Sequence, residues 1–288
     1  MIVEIISVGY GVSSMIGWGF GDFLAKRVLG SVGYYRLLLY TQLVSLAPVF
    51  LLAALFPLPM PSSSRSIALI VATGVCSFSG VFFFYRGLAA GRASIVTPVV
   101  STSSVVAMAL SFVILGETLG LPQILCIGLA LVGILIITTK SDSEGESNAG
   151  VPYAVAAMLS IGLVSVLIKL VSVDIGEIAT LFFSRVLTVL ILFMTTPFLP
   201  GSLLREVHGR APIKSIIVIG LAEFVGFFAF VAGIGVGLVS IVAPLSSASP
   251  AVTVVLAQVF LGERLIHIQK MAVVMVIAGI LLLSVASI

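Results

Sequence analysis

Long apolar segments, separated by short polar breaks, fill most of this 288-residue chain. A helix needs about 20 apolar residues to cross the hydrocarbon layer of a bilayer, and these segments are that long. They are too long for the strands of a membrane barrel, and an open sheet edge cannot face lipid, so helices are predicted. We predict ten membrane-spanning helices, over residues 4–27, 33–56, 66–90, 93–115, 121–139, 151–172, 175–199, 213–236, 239–261 and 266–287.

One stretch of this pattern occurs twice. Residues 94–117 read SIVTPVVSTSSVVAMALSFVILGE and residues 240–263 read SIVAPLSSASPAVTVVLAQVFLGE, with 12 identical positions out of 24 and no gap. Fainter matches indicate that the whole five-span unit is repeated: Lys26 and Lys169 each close a first span, and Arg36 and Arg185 each fall early in a second span. Because five is odd, the second unit must cross the membrane in the opposite sense, which makes an inverted repeat.

The chain therefore divides into two five-helix repeats, residues 1–139 and 151–288. The polar, low-complexity stretch at 140–150 (KSDSEGESNAG) is predicted to be the linker between them. The fold class that follows is an all-α integral membrane protein with ten transmembrane helices in two inverted repeats.

The Gly116-Glu117 and Gly262-Glu263 turns that end the repeated stretch, together with the repeat itself, resemble the drug/metabolite transporter superfamily and, within it, the ten-helix EamA family. This resemblance implies a multi-pass protein of the cell (plasma) membrane that exports small metabolites, often amino acids, using an ion or proton gradient. It also implies a monomer or homodimer, and a central cavity lined by the first, third and fourth helices of each half. Each turn is followed by a helix, so we expect the two glutamates to cap helix starts.

Composition narrows the classes of function. Residues are 60% hydrophobic and 9% charged, with a mean hydropathy of +1.32, whereas a soluble domain carries about 25% charged residues. The net charge of +3 is spread out, so no nucleic-acid partner is expected. Neither His208 nor His267 lies in a ligand cluster, and no phosphate-binding loop is present. We therefore expect no enzyme, no metal and no cofactor; the expected partners are a small-molecule substrate and the lipid bilayer.

Charged groups within predicted spans are functional candidates, because burying a charge in hydrocarbon is costly. Glu223 lies near the middle of the eighth span, where a carboxyl suits the uptake and release of a proton. The alternative is a structural ion pair with Arg185 in the seventh span, and Arg185 is itself a candidate ligand for a substrate carboxylate. Tyr85, near the end of the third span, is expected in an interfacial aromatic belt.

Two further groups of residues are candidates for substrate contact. Asp22 and Lys26 stand at helical spacing for an ion pair, after the glycine-rich run that contains Trp18, although Lys26 also suits snorkelling to the interface. In the fourth and ninth spans, prolines free backbone carbonyls beside a group of hydroxyls. These hydroxyls face either a ligand or tightly packed neighbours. The residues are Pro98, Ser101 and Ser103 in the first half, and Pro244, Ser247 and Ser249 in the second.

These observations favour a secondary transporter that exports a small metabolite, with an amino acid as the first expectation from the resemblance. A cationic drug exporter is the first alternative, a nucleotide-sugar or sugar-phosphate carrier is less favoured, and a non-transporting membrane scaffold is the alternative from another class. Orientation stays open, because the lysines and arginines favour external termini by the positive-inside rule, whereas the family resemblance implies cytoplasmic termini.

Overall fold

A computed structural model describes residues 2–115, 120–139, 148–198, 212–236, 242, 245–261 and 267–286. All regular secondary structure within these ranges is helical. The helices of the first half are α1 (Ile2–Val32), α2 (Tyr34–Leu55), α3 (Ser64–Ala90), α4 (Ala93–Ser101), α5 (Ser103–Leu115) and α6 (Leu121–Thr139). Those of the second half are α7 (Val151–Ile175), α8 (Glu177–Thr195), α9 (Ile213–Val236), α10 (Ser249–Leu256) and α11 (His267–Ala286), with short 3-10 turns at Asn148–Gly150 and Thr196–Phe198 and a π turn at Ala257–Leu261.

Five helices of the described chain are long and apolar enough to cross a membrane. These segments are Tyr34–Leu55, Ser64–Ala90, Val151–Ile175, Glu177–Phe198 and Ile213–Gly233. Large apolar side chains such as Phe50, Leu55 and Val173 stand exposed on their outer faces, where lipid is the solvent that stabilises them. The helical membrane fold is confirmed, and the count of ten spans stays a prediction.

The first helix of each half ends at a glycine with positive φ. Gly33 (φ 79°) follows α1 and Gly176 (φ 78°) follows α7, and each precedes the next helix. Glycine alone adopts this conformation without strain, so it allows a sharp turn between two long helices. Lys26 and Lys169 lie six residues before these helix ends, so each helix continues past the lysine that was predicted to close its span.

The predicted fourth span is two helices rather than one. Pro98 lies inside α4, and the break follows at Thr102, where the amide bonds the carbonyl of Val99 at 3.2 Å. The same bond recurs 146 residues later, from Ala248 to Leu245 at 3.1 Å. The break therefore belongs to the repeated architecture of both halves.

Contacts between the halves recur with the roles of the halves exchanged. A β-carbon on Gly226 of α9 would stand 2.5 Å from the ring of Trp18 in α1, and one on Gly80 of α3 would stand 2.8 Å from Ile161 in α7. The same exchange relates the approach of Gly220 to Val44 and that of Gly74 to Leu187, both at 2.6 Å. The halves are thus related by an approximate internal twofold, which we call the exchange axis.

These contacts fix the residue correspondence between the halves. The first two helices correspond at an offset of 143 (176 − 33 and 187 − 44), and the later ones at 146 (226 − 80). Arg185 therefore corresponds to Gln42, and the predicted match of Arg185 with Arg36 is wrong. The largest cluster of buried apolar side chains includes Leu38 and Leu88 from the first half and Ala157 and Ile219 from the second, so the halves share one core.

Candidate functional site

Four polar side chains from four helices form one hydrogen-bonded chain between the halves. Arg185 of α8 donates through Nη1 to Oε1 of Gln42 on α2. Gln42 donates through Nε2 to Oε2 of Glu223 on α9, at 2.9 Å. Tyr85 of α3 donates its hydroxyl to Oε1 of the same Glu223 carboxyl. The alternative of a structural ion pair between Arg185 and Glu223 thus takes an indirect form, in which the Gln42 amide stands between the two charges.

The chemistry of the neighbours fixes the orientation of the Gln42 amide. A guanidinium only donates hydrogen bonds and an ionised carboxylate only accepts them. The carbonyl oxygen of Gln42 must therefore face Arg185, and its amino group must face Glu223, which is the arrangement present. Gln42 is fully buried, so rotating the amide by 180° would leave two buried mismatches.

Arg185 keeps hydrogen-bonding capacity that the protein does not use. Its side chain is only 8% exposed, and its guanidinium carbon lies 4.9 Å from the ring centroid of Phe227. Its Nε is buried and has no hydrogen-bond partner among the residues that the structure describes. An unmade bond on a buried charged donor is costly, so an acceptor that reached this edge of the guanidinium would gain a hydrogen bond.

Helix α1 brings a second carboxyl to the same site. Asp22 interacts electrostatically with Glu223 and Tyr85, and a β-carbon on the adjacent Gly21 would lie 3.8 Å from Cγ of Glu223. Two carboxyls that interact in this way favour a bound proton or a cation near them. Asp22 and Glu223 are both half-buried.

Trp18 lies one turn before Asp22 on α1 and forms the apolar border of the site. Its ring packs over Gly226, and it lies 5.4 Å, centroid to centroid, from the ring of Phe230. Glycine at position 226 is required there because any side chain would overlap the indole. Trp18, Asp22, Arg185 and Glu223, all predicted from the sequence, therefore fall in one region of the structure.

Lys26 contacts a different part of the protein. Its Nζ donates to the carbonyl oxygens of Leu88, at 2.7 Å, and Gly91. These carbonyls belong to the C-terminal end of α3, where a cation is favoured by the helix dipole and by the unpaired acceptors. Lys26 thus ties the end of α3 to α1.

The hydroxyls around the helix break in the first half mostly bond their own helix. Ser101 donates to the carbonyl of Pro98 at 2.7 Å, and Thr102 donates to that of Val99 at 2.7 Å and contacts Sδ of Met158 at 3.0 Å. Ser103, like Ser101, is buried. Such bonds satisfy carbonyls that the irregular backbone leaves exposed.

In the second half, Ser249 is buried and Ser247 is half-buried. The carbonyl of Ser249 approaches Gly19 so closely that a β-carbon there would lie 2.6 Å away. The fourth helical region of the second half therefore packs directly on α1. The remaining predicted residues lie outside the described ranges: Pro244, Gly116, Glu117, Gly262 and Glu263.

Sequence reasoning missed Gln42 and misplaced Tyr85. Tyr85 is 1% exposed and faces Glu223, so the expectation of an aromatic belt is wrong for this residue. The signal for Gln42 was its position in the apolar run YTQLVSLAPV, because an amide inside a membrane span needs a partner. Its correspondence to Arg185 was hidden by the change of offset from 143 to 146.

The model of the EamA-like transporter family matches residues 5–139 and again residues 148–285. The chain belongs to the EamA-like transporter family. As a member of this family it is a membrane transporter, and the resemblance seen in the repeated Gly-Glu stretch is confirmed. The double match agrees with the two repeats that the sequence and the exchanged contacts indicate.

Two other proteins are similar to this EamA-like chain. An uncharacterized protein of Methanocaldococcus jannaschii, MJ1333.1, is 26% identical over 131 residues, which make up 46% of this chain and 95% of that protein. That relative is therefore about as long as one repeat. A solved crystal structure that is 17% identical covers 96% of this chain and 95% of its own, with a TM-score of 0.66. At that identity, the likeness concerns the fold alone.

Proposed function

We propose that this protein is a secondary active transporter that exports a small amino-acid-like zwitterion by alternating access. The observation that carries the proposal is the chain Arg185–Gln42–Glu223, which holds opposite charges apart near the contact between the halves. A zwitterion has an anionic and a cationic group on one small skeleton. The free Nε edge of Arg185 suits its carboxylate, and the Asp22–Glu223 pair suits its ammonium group.

The proposed architecture is ten transmembrane helices in two inverted repeats, with boundaries at 1–139, 140–150 and 151–288. The exchanged contacts support two equivalent units, and two equivalent units of five spans each, joined in one chain, cross the membrane in opposite senses because five is odd. Alternating access in such proteins is a rocking of one unit against the other about a site at their interface. The chain from Arg185 to Tyr85 lies at that interface.

The proposed location is the cell (plasma) membrane, and a homodimer is a further proposal. The two glycines at 128 and 133 lie in different surroundings. A β-carbon on Gly133 would meet Val276 at 2.8 Å, so this glycine packs inside the protein, whereas one on Gly128 would meet no atom of the described residues within 4 Å. Gly128 is therefore the better candidate for close contact with lipid or with a second copy.

Transport from proteoliposomes tests the substrate class. The vesicles would be loaded with labelled leucine, isoamylamine or tetraphenylphosphonium, and efflux would be followed with and without an imposed pH gradient. We expect leucine to leave faster than isoamylamine, because only leucine supplies a carboxylate for Arg185. Efflux of the two cations without leucine would contradict the proposal and favour a cationic drug exporter. No efflux of any of the three would contradict the zwitterion and leave the scaffold and sugar-carrier alternatives.

Cysteine labelling tests the orientation of the inverted repeats. Single cysteines at Ser143 and Ser202 lie in the two polar stretches that follow odd-numbered spans. With cytoplasmic termini, as the family resemblance implies, both are expected to react with an impermeant maleimide added to intact cells. Protection of both until the cells are opened would instead support the orientation that the positive-inside rule favours. Reaction of only one would contradict the ten-span topology itself.

A further inference from the structure

Gln42 and Arg185 occupy corresponding positions and also touch each other. The offset of 143 that relates Gly33 to Gly176 and Val44 to Leu187 also relates residue 42 to residue 185. A rotation about the exchange axis swaps corresponding residues, so two of them can touch each other only when both lie beside that axis. The bond from Arg185 Nη1 to Gln42 Oε1 therefore marks this axis.

The charges around this axis are one-sided. Glu223 and Tyr85 correspond to Ser77 and Val231 at the offset of 146, and Asp22 corresponds to Ser165 at the offset of 143. Both carboxyls and the phenol thus lie on one side of the Gln42–Arg185 pair. The corresponding positions on the other side carry two serines and a valine. The hydroxyl of Ser165 donates to the backbone carbonyl of Ile161, at 2.9 Å.

We infer that Gln42 is the specificity-determining residue that makes this site select a zwitterion over a simple amine. The inference rests on the proposed function and names the residue that gives the site its selectivity. Without a neutral bridge, Arg185 and Glu223 would be free to pair with each other, since they are opposite charges in a low-dielectric interior. Gln42 satisfies one donor of Arg185 and one oxygen of Glu223, and it leaves the remaining capacity of each for substrate.

The same geometry orients the substrate. A carboxylate bound at the Nε edge of Arg185 and an ammonium group bound at Glu223 and Asp22 place the two charged ends of the molecule. The uncharged side chain of the substrate then needs apolar surroundings, which Trp18 supplies at the border of the site. An apolar amino acid such as leucine is the probe that fits this arrangement.

The test compares leucine with isoamylamine, which has the same carbon skeleton without the carboxylate. The variant Gln42→Glu places a carboxylate against Arg185, where it competes with the carboxylate of the substrate. In proteoliposomes we expect KM for leucine to rise about tenfold or more, because a charge-assisted contact is lost. We expect KM for isoamylamine to stay unchanged or to fall, because its ammonium group meets an additional negative charge.

A second variant separates positioning from folding. Gln42→Met keeps the length of the side chain but lets Arg185 and Glu223 pair directly, so KM should rise for both probes. Ser45→Ala is the matched control, since Ser45 is buried on the same helix and its hydroxyl donates to the backbone carbonyl of Gln42, at 2.9 Å, rather than to the side chain. Its leucine-to-isoamylamine ratio of KM values is expected to equal that of the wild type.

The possible outcomes separate this inference from the proposed function. If wild type transports leucine and Gln42→Glu keeps the wild-type KM ratio, Gln42 does not determine specificity and the proposed function stands. An equal rise of both KM values in Gln42→Glu would show a merely structural role and would likewise overturn the inference. If wild type transports neither probe, the zwitterion proposal and this inference both fail.

Discussion

The variant Glu223→Gln is expected to lose transport driven by a pH gradient, with a fall of at least about tenfold in initial rate. The glutamine amide cannot release or take up a proton at any accessible pH, so a carrier that depends on that exchange cannot use the gradient. The amide also brings a donor to a place where Gln42 and Tyr85 already donate. The measurement is leucine efflux from proteoliposomes with an imposed pH gradient, compared with efflux driven by the leucine gradient alone.

Glu177→Gln is the matched control for this experiment. Glu177 is half-buried in the first turn of α8, away from the hydrogen-bonded chain of Arg185 and Glu223. The control undergoes the same chemical change and should keep gradient-driven transport. If Glu223→Gln retains acceleration by the pH gradient, Glu223 does not carry the coupled proton.

Gly17→Ala is expected to destabilise the protein by about 2 kcal/mol or more. A β-carbon at this position would stand 2.8 Å from the amide nitrogen of Gly226 and 2.9 Å from the carbonyl oxygen of Ala222. Both atoms belong to the backbone of α9, so no side chain can turn aside and the two helices must separate. The measurement is the thermal unfolding temperature of the purified protein in detergent.

Gly30→Ala is the comparison variant on the same helix, and its expected change in stability has the opposite sign. A β-carbon on Gly30 would meet nothing within 4 Å. Replacing glycine by alanine inside a helix gains about 0.5–1 kcal/mol when space allows. We therefore expect Gly30→Ala to unfold at the wild-type temperature or slightly above it, and Gly17→Ala well below it. Equal unfolding temperatures for the two variants would contradict the close packing of α1 on α9.

The helices were largely predictable because hydrophobicity and length decide them. The spans predicted at 33–56 and 213–236 correspond to α2 and α9 with almost no change of boundary. The fourth span was predicted as one helix over 93–115 but is interrupted at Thr102. Pro98 removes one intrahelical hydrogen bond, yet α4 continues past it to Ser101, so the proline does not itself mark the break.

The site was only partly predictable because its members meet through tertiary packing. A charge in an apolar span, such as Glu223 or Arg185, is conspicuous in the sequence whatever its neighbours are. Gln42 and Tyr85 carry no charge, and their roles depend on partners at least 138 residues away along the chain. The offset between the halves changes by three residues somewhere between residues 44 and 74, and the apolar helices on either side give a sequence match little signal.

The contact of corresponding residues at the exchange axis has a consequence for symmetry. An assembly of two identical copies of one half would place two identical side chains there, either two glutamines or two arginines. Two glutamines would lack a positive charge for a carboxylate, and two arginines would repel each other. A neutral residue facing a cation at a twofold axis requires halves that differ, and joining them in one chain keeps unlike halves together in a fixed one-to-one ratio.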